Sequence, residues 1–229
     1  MLLNRLLIKA VAPVPKIEKF KTYLFVAPHP DDIEIAVGST VARLAREGKD
    51  VYYLVCTDGR FGTEDENVSP ETLVKIRRDE QLASAKILGV KDVRFLPFED
   101  GGMYDDHLRV GEAVSKEYFM CGNVNMMKSV GATQIAKPTV LAYYFTGKPN
   151  RFVKITKKDF EKTKAAYACF VSQCPPPDNG KSLMLYMRLK VRLNGLRSFH
   201  IRADAFRVMN NMHIHCCGEA EDTAIRRPL

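Results

Sequence analysis

A short apolar run, Thr22 to Ala27 (TYLFVA), stops at Pro28 and gives way to His-Pro-Asp-Asp. Few folds accommodate that junction. The run has the aromatic and β-branched content of a strand buried on both faces, and proline cannot continue the ladder. From Ile33 to Arg46 the pattern changes period: Ile33, Val37, Val41 and Leu44 recur at helical spacing, and Gly48 closes the segment. Val51 to Thr57 (VYYLVCT) is a second apolar strand, ending at Asp58-Gly59, and Arg60 to Val68 is polar and loop-like. Strand, helix and strand at this spacing make a βαβ unit, hence parallel strands.

Downstream, Ser69-Pro70 predicts a helix start, with serine as N-cap and proline in the first turn, and the helix runs to Leu88 before Gly89. Its inward stripe is expected to be Leu73, Ile76, Glu80, Ala83 and Ile87. A glutamate on that stripe requires a partner, and Arg77, three residues earlier, is within reach, as a structural ion pair or as a pair lining a pocket. Asp92 to Phe98 supplies a third strand. Thr139 to Phe145 and Phe152 to Ile155 read as two more around a Gly147 to Asn150 turn. A later helix covers roughly Lys158 to Val171, and Pro175-Pro176-Pro177 breaks the chain. The expected class is α/β, a Rossmann-like doubly wound, mostly parallel sheet flanked by helices. At 229 residues, with 46% hydrophobic and 27% charged, the chain fits one domain over 1–229, with an N-terminal arm at 1–20 and a polar tail at 216–229.

Met1 to Val14 is apolar in places, but Arg5 and Lys9 interrupt it and Pro13 and Pro15 follow, so no transmembrane segment is expected. A convincing small-residue cleavage site is lacking. Weak attachment to a membrane surface is the lesser alternative for this arm. Six cysteines without CxxC pairing fit a reducing compartment, the cytoplasm by default. The net charge of +8 is concentrated: residues 148–207 hold 14 Lys and Arg against 4 Asp and Glu. Such a block attracts nucleic acid, acidic lipid or an anionic substrate, or is a solvated surface. Without a helix-turn-helix, zinc-finger or RNA-binding signature, no nucleic acid is expected as partner.

Ligands of open parallel sheets bind in the loops after the strands' carboxyl ends, and His-Pro-Asp-Asp occupies the first such loop. His29 and Asp32, three apart in a strand-to-helix turn, can converge on one point, with Asp31 approaching from another angle. Imidazole and carboxylate donors suit Zn²⁺, an open position holds water whose pKa the metal lowers, and Asp31 is placed as general base. The competing reading is that Asp31 and Asp32 merely cap the helix N-terminus. Non-haem iron is an alternative occupant.

The sequence resembles the LmbE-like or PIG-L deacetylases, from about Tyr23 to His215. The resemblance rests on HPDD with Gly38 in the following helix, on Thr57-Asp58-Gly59, on Arg77-Arg78-x-Glu80 and on Leu141 to Asn150 (LAYYFTGKPN). The last of these, with Phe206 to Met209, is similar to the archaeal diacetylchitobiose deacetylases. The resemblance implies a zinc enzyme that removes N-acetyl groups from N-acetylglucosamine-containing compounds. In it His29 and Asp32 bind Zn²⁺, Asp31 activates water, and Arg77 positions substrate. The family's third ligand is the last histidine of an HPDH motif. Its match here is Tyr104-Asp105-Asp106-His107, which keeps His107 as ligand and places Tyr104 where the first histidine stands. His215 matches a late histidine that contacts the reacting acetyl group, and is assigned as oxyanion stabiliser.

The chain departs from the family before this second motif. Six residues separate Asp100 from His107, where the family carries a further helix and strand, so the central region is shortened. Either a shortcut brings His107 to the metal, or His107 is an ordinary loop histidine. Met212 to His215 is expected to be extended, with both histidines on one face. The expected substrate is a small amino sugar, N-acetylglucosamine or a chitobiose derivative, and a homo-oligomer is compatible with the sequence. The alternatives are a catalytically impaired metal- or sugar-binding homologue, and a Rossmann-like nucleotide- or nucleic-acid-binding module, against which stands the lack of a glycine-rich phosphate loop.

Overall fold

The parallel strands predicted at the N-terminus are present in a computed structural model of the chain. It describes residues 10–63 and 65–217, with the side chains of Met103, Tyr104, His215, Cys216 and Cys217 outside that description. Strands β1 (Thr22–Ala27), β2 (Asp50–Thr57) and β3 (Asp92–Phe98) form a sheet in the order β1-β2-β3. Both pairings are parallel, with Phe25 opposite Tyr53 and Val55 opposite Phe95. Helix α1 (Asp32–Arg46) links the first two strands and α2 (Pro70–Leu88) the next two. The expected stripe on α1 is its buried face: Ile33, Val37, Val41 and Leu44 are at most 1% exposed. Each such side chain contributes about 1.5–3 kcal/mol relative to exposure.

The chain divides into two compact units. The larger comprises Ile17–Asp106 and Phe152–Ala205; the smaller takes Met1–Lys16, His107–Arg151 and Phe206–Leu229. In the larger, α5 (Lys157–Tyr167) packs on α1 and α2. Gly38 permits the approach to α1, since a Cβ there would meet Thr163 Cγ2 at 2.7 Å. Thr156 and Asp159 form a capping box at the start of α5. Helix α6 (Lys181–Arg197) completes an apolar cluster of Ile155, Phe160, Tyr167, Phe170, Met187 and Val191. Helix α1 is kinked at Val37 (φ −146°, ψ 18°), which frees backbone groups that need partners. Lys190 Nζ donates to the carbonyls of Ile35 and Ala36, and buried Asp204 accepts from Thr40 N and Oγ1, both at 2.8 Å.

In the smaller unit, β4 (Leu141–Tyr143) pairs antiparallel with the end of β6 (Ala203–Met209), Leu141 lying opposite Met209. Tyr118 of α3 (Met103–Met120), Leu141 and Met209 form its apolar centre. Asn150 closes on Val208 with its side chain, Nδ2 donating to Val208 O at 2.9 Å and Oδ1 accepting from Val208 N at 2.8 Å. A short helix α4 (Val124–Ser129) follows α3, and β5 is Arg151–Lys154. The predicted strand at 139–145 therefore shortens to three residues, and its partner is β6.

Three expectations are corrected. The buried face of α2 is Leu73, Arg77, Gln81, Ser84, Ala85 and Leu88; Ile76 is 38% exposed. Arg77 does not use Glu80 as its partner: Glu80 leaves the helix to accept from Ser172 N at 2.7 Å and Ser172 Oγ at 2.6 Å. Its carboxylate thus satisfies a part-buried backbone N–H in the turn after α5. Met212 to His215 is not extended but lies in α7 (Asn211–Cys217), because Asn210 Oδ1 accepts from His213 N at 3.2 Å and starts a helix there. Residues two apart on a helix do not share a face.

Candidate metal centre

β1 ends at buried Ala27, and the chain is held at the strand end by Thr57, whose N and Oγ1 both donate to Pro28 O at 2.9 Å. His29 follows. Its N–H donates to Asp32 Oδ2 at 2.9 Å, and its Nδ1 lies 3.4 Å from the same oxygen. Its Nε2 lies 3.3 Å from Asp106 Oδ2 and 3.4 Å from Asp100 Oδ1. All four side chains are buried. Burial opposes charge on the imidazole, but the Asp32 hydrogen bond and the Asp32 and Asp100 charges outweigh it and raise the His29 pKa.

Asp100 and Asp106 come from the shortened connection. Asp58, from the predicted Thr57-Asp58-Gly59, accepts from Asp100 N at 3.2 Å, and Asp100 Oδ1 from Gly102 N at 2.9 Å. Gly102 has φ +112°, a conformation L side chains rarely adopt. The chain turns there directly into α3: Asp106 N donates to Gly102 O at 3.1 Å, and Asp106 Oδ2 accepts from Gly101 N at 2.9 Å. His29, Asp100 and Asp106 each offer a ligand atom, all within 4.8 Å of one another. Three buried carboxylates on one imidazole carry more negative charge than an imidazolium neutralises, a deficit that a divalent cation fills. The donor set of imidazole nitrogen and carboxylate oxygen fits such a cation.

Asp31 is the residue before α1, yet its carboxylate makes no capping bond and its backbone is left-handed (φ 99°, ψ −26°). The capping explanation therefore does not hold for Asp31. Its Oδ2 accepts from Arg77 Nη2 at 3.2 Å. Burial, reinforced by Asp32 and Glu34 and opposed by Arg77, holds its pKa well above the usual carboxylate range. Arg77 is 3% exposed and donates also to Gly59 O at 2.9 Å and Pro30 O at 2.6 Å. Behind it, Gln81 Oε1 accepts from Asp31 N at 3.0 Å, and Gln81 Nε2 and Ser84 Oγ donate to Glu34 Oε1 at 3.1 and 2.8 Å. Burial pushes the Glu34 carboxyl up to about 7.

His29, Asp31, Asp32 and Arg77 are thus assembled as one cluster. His107 lies in helix α3, not in a loop, and within the smaller unit its ring meets Phe145 at 5.7 Å between centroids. The side chains of Tyr104 and His215 lie outside the described residues. Sequence reasoning missed Glu34, Gln81, Asp100 and Asp106; of these, Asp106 sat within the quoted second motif.

A buried imidazole and carboxylates at the carboxyl ends of parallel strands, beside a carboxylate of raised pKa, define an α/β chain with the equipment of a metal-dependent hydrolase. The profile of the PIG-L: GlcNAc-PI de-N-acetylase family matches residues 24–137 of the chain. It is 29% identical to the diacetylchitobiose deacetylase of Thermococcus kodakarensis over 253 aligned positions, 94% of this chain and 92% of the relative. That alignment is longer than the chain itself, so the relative carries residues without a counterpart here. The structure is similar to that of N,N'-diacetylchitobiose deacetylase from Pyrococcus horikoshii, at TM-score 0.76 and 25% identity over 94% of each chain. A 4-carboxy-2-hydroxymuconate hydratase from Pseudomonas putida shares the fold, with TM-score 0.65 and 17% identity over 83% of this chain and 96% of that one. The fold alone therefore does not fix the reaction.

Proposed function

We propose that this chain hydrolyses the N-acetyl amide of an N-acetylglucosamine-containing sugar, a chitobiose derivative in the first instance, to acetate and a free amine. The observation that carries the reading is the Asp31 carboxylate, buried, released from capping and held beside the His29–Asp32 pair. His29 and Asp32 are the proposed ligands of Zn²⁺, with His107 as the third. Support for His107 is its place as the last residue of the second motif, Tyr104-Asp105-Asp106-His107. The cation, when bound, supplies a water of lowered pKa and polarises the amide carbonyl. Asp31 accepts the water's proton at a carboxylate oxygen and returns it to the departing nitrogen. Arg77 positions the reaction by holding Asp31, and Tyr104 and His215 are proposed to contact sugar and acetyl oxygen. The family match runs from the larger unit into the smaller, which supports one deacetylase domain built from both.

The free thiols Cys56, Cys121, Cys169 and Cys174 support a reducing, cytoplasmic setting. No helix among the described residues is long and apolar enough to cross a membrane. A second reading, a binding homologue without turnover, is favoured by the shortened connection that sets Asp100 and Asp106 on His29.

The test is metal content together with acetate release from N-acetylglucosamine and N,N'-diacetylchitobiose, comparing wild type with Asp31→Asn. Stoichiometric zinc with turnover lost in Asp31→Asn supports the deacetylase. Zinc without turnover on either sugar selects the binding homologue.

A further inference from the structure

Both polar groups of one peptide plane, that between Pro30 and Asp31, are held by helix α2. Arg77 Nη2 donates to the Pro30 carbonyl at 2.6 Å, and Gln81 Oε1 accepts the Asp31 N–H at 3.0 Å. Residues 77 and 81 are one helical turn apart and project from the same face, so the pair acts as a clamp across the plane. The plane sets φ of Asp31, which at 99° lies in the left-handed region, one that side chains other than glycine adopt uncommonly. Without the grip on the N–H, relaxation of φ rotates the Cα–Cβ bond and carries the carboxylate away from its place beside His29 and Asp32.

The orientation of the Gln81 amide is not ambiguous. A backbone N–H only donates, so the amide oxygen faces Asp31 and Nε2 faces Glu34, whose Oε1 accepts it. Ser84 Oγ donates to the same Glu34 oxygen at 2.8 Å. Gln81 and Ser84 are fully buried, and Glu34 is 1% exposed. The donors to Glu34 Oε1, Gln81 Nε2 and Ser84 Oγ, are both neutral, which makes this buried carboxyl a costly brace for an amide. Arg77 alone, by contrast, would serve as the counter-charge for Asp31.

We infer that Gln81, braced by Glu34, is a positioning residue for Asp31: it fixes the backbone conformation that aims the Asp31 carboxylate at the reacting centre. This rests on the proposed role of Asp31 as base. Gln81 does not touch substrate or metal, so its loss lowers kcat and leaves KM and metal binding in place.

The test uses the metal-loaded full chain in four forms: wild type, Gln81→Met, Gln81→Glu, and Gln81→Glu combined with Glu34→Gln. Gln81→Met is expected to keep its metal, to lose about a hundredfold in kcat and to hold KM within about twofold. Gln81→Glu keeps an acceptor for Asp31 but sets two carboxylates face to face, and is expected to be comparably impaired. The double variant exchanges donor and acceptor between positions 34 and 81, restores their hydrogen bond, and recovers kcat to within about threefold of wild type. A merely structural role does not produce that reciprocal rescue. In crystals of Gln81→Met, φ of Asp31 is expected to leave the left-handed region, and exchange of its amide proton to accelerate. Retained kcat in Gln81→Met, or a double variant no better than Gln81→Glu, overturns the inference. If the wild type turns over neither sugar, the deacetylase reading fails on its own, and φ and amide exchange at Asp31 decide the role of Gln81: unchanged values in Gln81→Met overturn it.

Discussion

Asp106 Oδ2 lies 3.3 Å from His29 Nε2, across 77 positions of sequence. The contact exists because the chain passes from β3 to α3 through Gly101 and Gly102 without an intervening element, and Gly101 N–H holds the same carboxylate oxygen in place. A carboxylate that orients a ligating imidazole fixes its ring and raises its basicity. Asp106→Asn is therefore expected to weaken metal binding by about 10–100-fold, and His29→Ala to abolish stoichiometric binding. Titration against a chelator of known affinity checks both. An Asp106→Asn protein that binds metal as wild type does would make Asp106 a bystander.

Asp159 gives the acid limb of stability. It is 1% exposed, its Oδ2 accepts from Thr156 N and Oγ1 at 2.8 and 2.7 Å, and its Oδ1 accepts from Arg46 Nε at 2.9 Å. Burial works against the carboxylate, but these hydrogen bonds win and lower its pKa. A carboxyl with a folded pKa below its unfolded one stabilises fully above the unfolded value and loses that contribution as pH falls through the folded value. Asp159→Asn should cost about 1–2 kcal/mol at neutral pH, Arg46 being 40% exposed and so partly screened. The variant's stability should fall less steeply than wild type below about pH 4. Urea unfolding at a series of pH values measures both effects.

Lys190 answers the kink in α1. Its ammonium donates to the carbonyls of Ile35 and Ala36 just before the break at Val37, where Thr40 N–H turns to Asp204. Lys190→Met keeps the aliphatic stem but strands two carbonyls, and is expected to destabilise by about 1–3 kcal/mol. A denaturation midpoint equal to wild type would show that the kink does not need this side chain.

Gly38 controls the approach of α5 to α1. An added methyl in Gly38→Ala overlaps Thr163 Cγ2, and overpacking of this kind costs about 1–3 kcal/mol. Thr163→Ser removes that carbon and keeps the hydroxyl that meets Ser39 Oγ at 3.1 Å. The double variant should accordingly recover most of the loss. A thermal denaturation cycle over the two sites reads the coupling, and additive effects would exclude the overlap as the cause.

Local chemistry carried much of the fold into the sequence. The α2 boundaries, Ser69 as N-cap and Gly89 as terminator, are those expected, because capping is decided by neighbouring residues. Helix α6 escaped notice because Leu, Met, Lys and Arg alternate around it without a clean apolar stripe, leaving Met187, Val191 and Gly195 as its buried line. Hydrophobicity does not mark the inner face of α2, where Ile76 is 38% exposed and Arg77 3%. That face instead carries Arg77, Gln81 and Ser84, polar groups whose partners lie in the β1–α1 loop, in the turn after β2 and on α1. In the metal centre, His29, Asp31 and Asp32 were legible as three polar residues at a strand end. Asp100 was not, since its role depends on how the loop after β3 folds back to Asp58.

The sequence by itself determined the parallel strands, the helix between them and the His29, Asp31 and Asp32 junction, because periodicity, caps and strand-end position act over a few residues. Only the tertiary structure decided which charges meet there. It turned Glu80 away from Arg77, set Asp106 on His29, and gave Gln81 the Asp31 backbone to hold. Each of these contacts joins residues far apart in the chain, and a buried polar group takes whichever partner packing brings within hydrogen-bonding distance.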